Sequence, residues 1–179
     1  LQKIPKDSHP MDMLRTAISY LGNIEPETDF KQQHEIADRL LAICPGLICY
    51  WYQYHFNHQT ISELSDEDTV GGHFLALLKG EKPTHNAKDM MNASLVLYAE
   101  HEFNASTFAA RVTAATLSDF YSAITAAVGT LRGPLHGGAN EAAMEVIERF
   151  QTPNEAESGI LNMLTHKEKI MGFGHRVYT

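Results

Sequence analysis

Three of the ten histidines stand where a side chain can act on a bound molecule. His136 falls in Leu131-Arg132-Gly133-Pro134-Leu135-His136-Gly137-Gly138-Ala139-Asn140, between two stretches with helical patterning. Gly133 and Pro134 must end the first of these, since proline lacks an N–H and disfavours helical geometry in the residue ahead of it. Gly137 and Gly138 carry no Cβ, so a ligand or a second backbone segment can approach closely. Residues Gly138 to Asn140 can open the next helix with free N–H groups aimed back at the loop. That end of a helix favours an anion, or negative charge that develops during a reaction. The alternative is a plain helix–helix corner carrying a surface histidine.

His101 follows a helical pattern ending in Ala99-Glu100 and precedes Glu102-Phe103-Asn104-Ala105-Ser106. His175 closes Gly172-Phe173-Gly174-His175-Arg176, where two glycines again let something lie against the backbone. Imidazoles in such irregular, polar settings serve as hydrogen-bond donors, acceptors and proton carriers. Zinc fits poorly, because the three lack the close pairing of a metal site. His55 and His58 are three apart but are expected in a solvated loop beside Asn57. No metal and no covalently bound cofactor is expected.

The elements that must position these residues read as helix after helix. Pro10 suits a first helical position, and Met13, Leu14, Ala17, Ile18 and Leu21 recur at helical spacing until Gly22, which ends the first helix. From about Gln33 to Tyr54 apolar residues cover nearly the whole circumference, which marks a helix buried in a core or an interface, with a kink at Pro45. An irregular piece, 55–68, follows. Thr69 to Lys79 stops at Gly80, and about Asn86 to Ala99 carries Met90, Met91, Leu95, Val96 and Leu97; both are expected in the core. Further helices are predicted at about Ser106 to Thr116, Ser118 to Leu131 and Asn140 to Phe150. A last one starts at Thr152-Pro153-Asn154-Glu155, a capping box with proline at the first helical position, and runs to about Thr165. No stretch alternates over a strand's length, so the class is all-α.

Composition limits what such a bundle can serve. The chain has 179 residues, 44% hydrophobic and 20% charged, which describes an ordinary globular protein able to bury a real core. Its net charge of −8 argues against a nucleic-acid face or an anionic membrane surface, so an anionic substrate must be gripped locally. Cys44 and Cys49 read as core thiols of a reducing compartment. The longest apolar run, Leu40 to Tyr52, is too short to span a bilayer, and no signal peptide is visible; the expected location is cytoplasmic. A start at Leu1 and an end just past a glycine-rich turn suggest part of a longer chain.

Three segments carry a resemblance. Ala99 to Thr107, Gly133 to Glu141 and Gly172 to Tyr178 resemble the three signature segments of the citrate synthase family, in the family's order and at its spacing. The similarity runs along the whole chain. Ser8-His9-Pro10-Met11-Asp12, Tyr50-Trp51-Tyr52 and the ending Val177-Tyr178-Thr179 resemble the 2-methylcitrate branch more than citrate synthase proper.

The resemblance implies a multi-helical homodimer whose subunits each have a large and a small domain that close over the substrates. Here the fold would be present only in part: residues 1–136 from the large domain, which dimerises and binds oxaloacetate, and 137–179 from the start of the small, CoA-binding one. The helices near 33–54 and 86–99 would pack across the dimer interface. The implied reaction condenses propionyl-CoA, or acetyl-CoA in the alternative, with oxaloacetate and then hydrolyses the thioester. His136 would hydrogen-bond the thioester oxygen as the enol forms, and Ser106 would orient it. His101 and Asn104 would bind oxaloacetate, and His175 would bind and protonate its carbonyl. Ile170, Met171, Gly172, Phe173 and Gly174 would receive the adenine of CoA.

General chemistry agrees with those roles. A thioester α-proton is so weakly acidic that removing it needs a positioned base and a donor at the developing oxyanion, which a neutral imidazole at a helix start can be. The family's catalytic aspartate and its carboxylate-gripping arginines have no counterpart here, and Glu102 and Glu141 are not convincing substitutes. The piece alone is expected to be inactive. A non-catalytic dimerising scaffold that kept the histidine motifs is the reading from another class.

Overall fold

The computed structural model describes residues 1–100 and 102–174. Among these the chain forms eight α-helices and a short 3-10 turn, with no strand. It divides into two compact units, Leu1–Gly129 and Thr130–Thr179, and the boundary falls inside the sixth helix.

In the first unit, α1 (Pro10–Ile24) places Pro10 in its first turn behind His9, whose Nδ1 accepts from the Met11 N–H at 3.1 Å. The helix does not stop at Gly22. It runs on to Ile24, and a Cβ at residue 22 would come within 2.8 Å of the Tyr121 Cβ, so the glycine makes room for a neighbour. A 3-10 turn, Phe30–Gln32, is closed by a capping box between Asp29 and Gln32. It leads into α2 (Gln33–Phe56), which continues past Pro45 although the proline withdraws one N–H from the ladder. His55 therefore lies in a helix, against Trp51 and Tyr54, and not in the solvated loop expected of it; His58 is exposed at φ 56°.

Met13, Leu14, Ala17 and Ile18 of α1 form the core with Ile36, Leu40 and Trp51 of α2 and Tyr121 and Val128 of α6 (Phe120–Leu131). The all-round apolar α2 is not buried all round: Leu41 is 64% exposed. Buried Cys49 and half-buried Cys44 are free, and burial pushes both thiols up to about 11, which leaves them inert near neutrality.

The third helix, α3 (Val70–Lys79), starts on the Thr69 hydroxyl and ends at Gly80, whose φ of 70° suits a residue without a Cβ. Its last carbonyls are tied to α2, since Gln53, buried in α2, donates its amide to Leu78 O at 2.6 Å. Next, α4 (His85–Tyr98) overturns the expectation of a core helix. None of its residues is buried, and Met90, Val96, Leu97 and Tyr98 are 68–80% exposed. The short α5 (Ala105–Ala115) buries nothing either.

In the second unit, α7 (Gly138–Glu148) and α8 (Pro153–Thr165) bury Val146 and Met163. The start of α8 carries half of the predicted capping box: Pro153 opens the helix and Thr152 Oγ1 accepts from the Glu155 N–H, but the Glu155 carboxylate accepts from the Gln151 N–H, one residue before the N-cap.

Candidate functional site

Asn104 is the N-cap of α5. Its backbone is extended, at φ −66° and ψ 165°, and its Oδ1 accepts from the Thr107 N–H at 2.9 Å. The same oxygen accepts from the Ser106 hydroxyl at 2.7 Å, so the structure brings Asn104 and Ser106 together as a hydrogen-bonded pair in the first turn. With Oδ1 doubly engaged, the Asn104 amide nitrogen is the part of the side chain that can donate to a carboxylate. Beside it, the Phe103 ring lies under the Arg111 guanidinium at 4.5 Å. His101, expected as a second oxaloacetate ligand, lies outside the described residues.

The loop of His136 is tied to the end of α6. The Gly133 N–H donates to Thr130 O at 3.1 Å, and a Cβ on Gly137 would collide with the backbone and side chain of Leu131. Gly137 is thus small because the loop folds back on its own helix. The N–H groups at the head of α7 are not free, contrary to the sequence expectation. Gly138 donates to Gly133 O at 3.2 Å, Ala139 to His136 O at 2.9 Å and Asn140 to Gly137 O at 3.2 Å. Carbonyls of the loop consume the donors that an anion would have used. The His136 side chain itself is half-buried and precedes the positive end of α7.

Ile170 to Gly174 follow α8. Gly172 and Gly174 hold φ of 92° and 74°, which only glycine adopts at little cost. They turn a segment in which Ile170 and Met171 are half-buried and Phe173 is 78% exposed. Gly172 lies close against the Ala143 side chain while Gly174 faces open space, and the exposed ring between them can stack against a planar heterocycle. His175 lies outside the described residues. Among the described residues no three of His, Cys, Asp and Glu gather as a metal ion would require, and no helix is long and apolar enough to cross a membrane.

Two carboxylates at the head of α6 escaped sequence reasoning. Asp119 accepts from the Ser122 N–H at 2.9 Å and from its hydroxyl at 2.6 Å. Burial pushes the Asp119 carboxyl up, but these bonds and those from nearby backbone N–H groups outweigh it and hold the group below its ordinary value. Glu27, from the link between α1 and α2, accepts from the Phe120 N–H at 2.6 Å. The capping aspartate next to a helix start was legible in principle; the long-range glutamate had no local signal.

Comparison with known proteins bears on the chain as a whole. The family model for the citrate synthase C-terminal domain matches residues 1–179. The chain is 54% identical over 178 residues to a 2-methylcitrate synthase of Shewanella oneidensis, covering 99% of this chain and 48% of that protein. It is 46% identical over 173 residues to citrate synthase 2 of Bacillus subtilis, covering 95% and 46%. It also superposes, with a TM-score of 0.84 and 34% identity, on citrate synthase of Thermoplasma acidophilum in a ternary complex with carboxymethyl coenzyme A and oxaloacetate, over 99% of this chain and 47% of that one. The chain thus spans about half the length of the relatives it matches.

Proposed function

Because the chain belongs to the citrate synthase family, we propose that its protein condenses propionyl-CoA with oxaloacetate and water to give 2-methylcitrate and CoA. The observation that carries the choice of acyl group is the 54% identity to a 2-methylcitrate synthase, against 46% to a citrate synthase.

In this reading the α-proton of the acyl-CoA goes to the family's aspartate, which has no counterpart among these 179 residues. His136, held at the head of α7, donates to the thioester oxygen as negative charge builds there. The enol carbon then attacks the oxaloacetate ketone, whose oxygen takes a proton from His175. Water cleaves the thioester and CoA leaves. Ser106, whose hydroxyl donates to Asn104 Oδ1, is the residue proposed to orient the His136 imidazole. Asn104 and His101 hold oxaloacetate, and Ile170 to Gly174 receive the adenine. The reaction uses no metal and no covalent cofactor.

Domains of 1–136 and 137–179, closing over the substrates, and a homodimer in the cytoplasm complete the reading. The exposed apolar side chains of α4 support the dimer, since a helix that is open in one subunit can be covered in a pair. The test of the acyl assignment is the ratio of specificity constants for propionyl-CoA and acetyl-CoA in the full-length protein. One methylene in an apolar pocket is worth about 1–3 kcal/mol, so both should react and propionyl-CoA should be preferred. A higher specificity constant for acetyl-CoA overturns the 2-methylcitrate assignment.

A further inference from the structure

We infer that Arg111 is a positioning residue for the proposed grip on oxaloacetate: stacked on Phe103, it holds the turn that delivers Asn104 to the head of α5. The inference rests on the role of Asn104 proposed above.

The turn is one that needs holding. Glu102 has a φ of 50°, a left-handed backbone that residues other than glycine adopt at a cost and keep only where their neighbours enforce it. Restraint comes from both sides. Before it, the Glu100 carboxylate accepts from the Glu102 N–H. After it, the Phe103 ring is covered by the Arg111 guanidinium, 4.5 Å from the ring centre. Asn104 follows directly as the N-cap, so the clamped ring stands between the strained residue and the cap.

Helix geometry accounts for an arginine so far along the chain reaching that ring. Seven residues make almost two turns, so Arg111 lies on the face of α5 that Asn104 begins. Side chains on a helix lean towards its N-terminus, and a long one at 111 therefore reaches back over the first turn. A cation gains nothing from the positive end of a helix, so the helix alone supplies no reason for the guanidinium to be there; the aromatic face does. Phe103 is 66% exposed and Arg111 is exposed as well, so neither side chain holds a core together. What the pair fixes is the backbone entering the cap, and with it the share of molecules in which Oδ1 of Asn104 is engaged by Thr107 and Ser106 and its amide nitrogen is left to donate. A grip already in its binding geometry before the substrate arrives loses no affinity to other conformers.

The test uses four variants of the full-length protein: Arg111→Met, which keeps the reach without the charge, Phe103→Leu, which keeps an apolar side chain without the ring face, the two combined, and Phe103→Tyr. Oxaloacetate titrated by calorimetry without acyl-CoA should bind roughly two- to fivefold more weakly to each of the first two. The combined variant should be no weaker than either, because both substitutions break the same contact. Phe103→Tyr keeps the ring and should restore the affinity. In turnover the KM for oxaloacetate should rise with the binding loss while kcat stays within about twofold. Losses that multiply in the combined variant would mean that Arg111 acts on the substrate independently of the ring, and they overturn the inference, as does wild-type affinity in Arg111→Met or a Tyr variant as weak as the Leu one. Asn104 holds the Thr107 and Phe108 N–H groups through Oδ1 and its carbonyl, so hydrogen exchange of those two amides reads the clamp without any substrate and separates its failure from a failure of the condensing function. Faster exchange in Arg111→Met supports the clamp, and unchanged exchange overturns it.

Discussion

Asn104 does two jobs with one side chain, and they can be separated. Its Oδ1 caps α5 and accepts from Ser106, while its amide nitrogen is the proposed grip on oxaloacetate. Asp caps helices as well as Asn does, so Asn104→Asp should keep α5 and the melting temperature. It replaces a donor by a negative oxygen facing a dianion, so oxaloacetate affinity should fall at least about tenfold by calorimetric titration. His136→Ala should behave in the opposite way. Losing one donor at a developing oxyanion lowers turnover by ~10² to 10³ and should leave oxaloacetate affinity unchanged. Equal losses of affinity in both variants would contradict the separate roles. The glycine-bounded break around His136 was legible as a local feature, whereas Asn104 was singled out only by the family resemblance and its cap on α5 is a finding of the structure. The donors at the head of α7 were misread as free, because which carbonyls consume them depends on how the loop folds back.

At the scale of the element, Gly80 and Gly22 show which glycines a sequence can explain. Gly80 ends α3 through its own backbone angle, a property of the residue, and was read correctly. Gly22 looked the same on paper but serves the packing of Tyr121, a partner far along the chain. Gly22→Ala should therefore destabilise by overpacking, about 1–3 kcal/mol, despite alanine's better helix propensity. A denaturant midpoint equal to or above that of wild type would show that Gly22 is not a packing residue. Helix existence and order were legible throughout, because the 3.6-residue period is strong. Burial of α4 was not legible, since an apolar stripe has the same pattern whether its cover lies in the same chain or elsewhere.

For the whole molecule, α4 and α5 together expose Met90, Val96, Leu97, Tyr98, Phe108 and Val112. Exposed apolar side chains of this kind are what the proposed dimer would cover. Sedimentation of the full-length protein at micromolar concentration should show a dimer with no stable monomer, and a monomer free of association would contradict the proposed use of that surface. The boundary between the two units falls inside α6. His136 is proposed to act in the loop that follows this helix.

The most direct test of the account is release of free CoA by the full-length protein from propionyl-CoA, measured with and without oxaloacetate. Condensation precedes hydrolysis in the proposed reaction, so release should require oxaloacetate and should yield one 2-methylcitrate for each CoA. In His136→Ala it should fall by ~10² to 10³. Release that proceeds equally without oxaloacetate would describe a thioesterase, and no release from either propionyl-CoA or acetyl-CoA would contradict the condensing function itself.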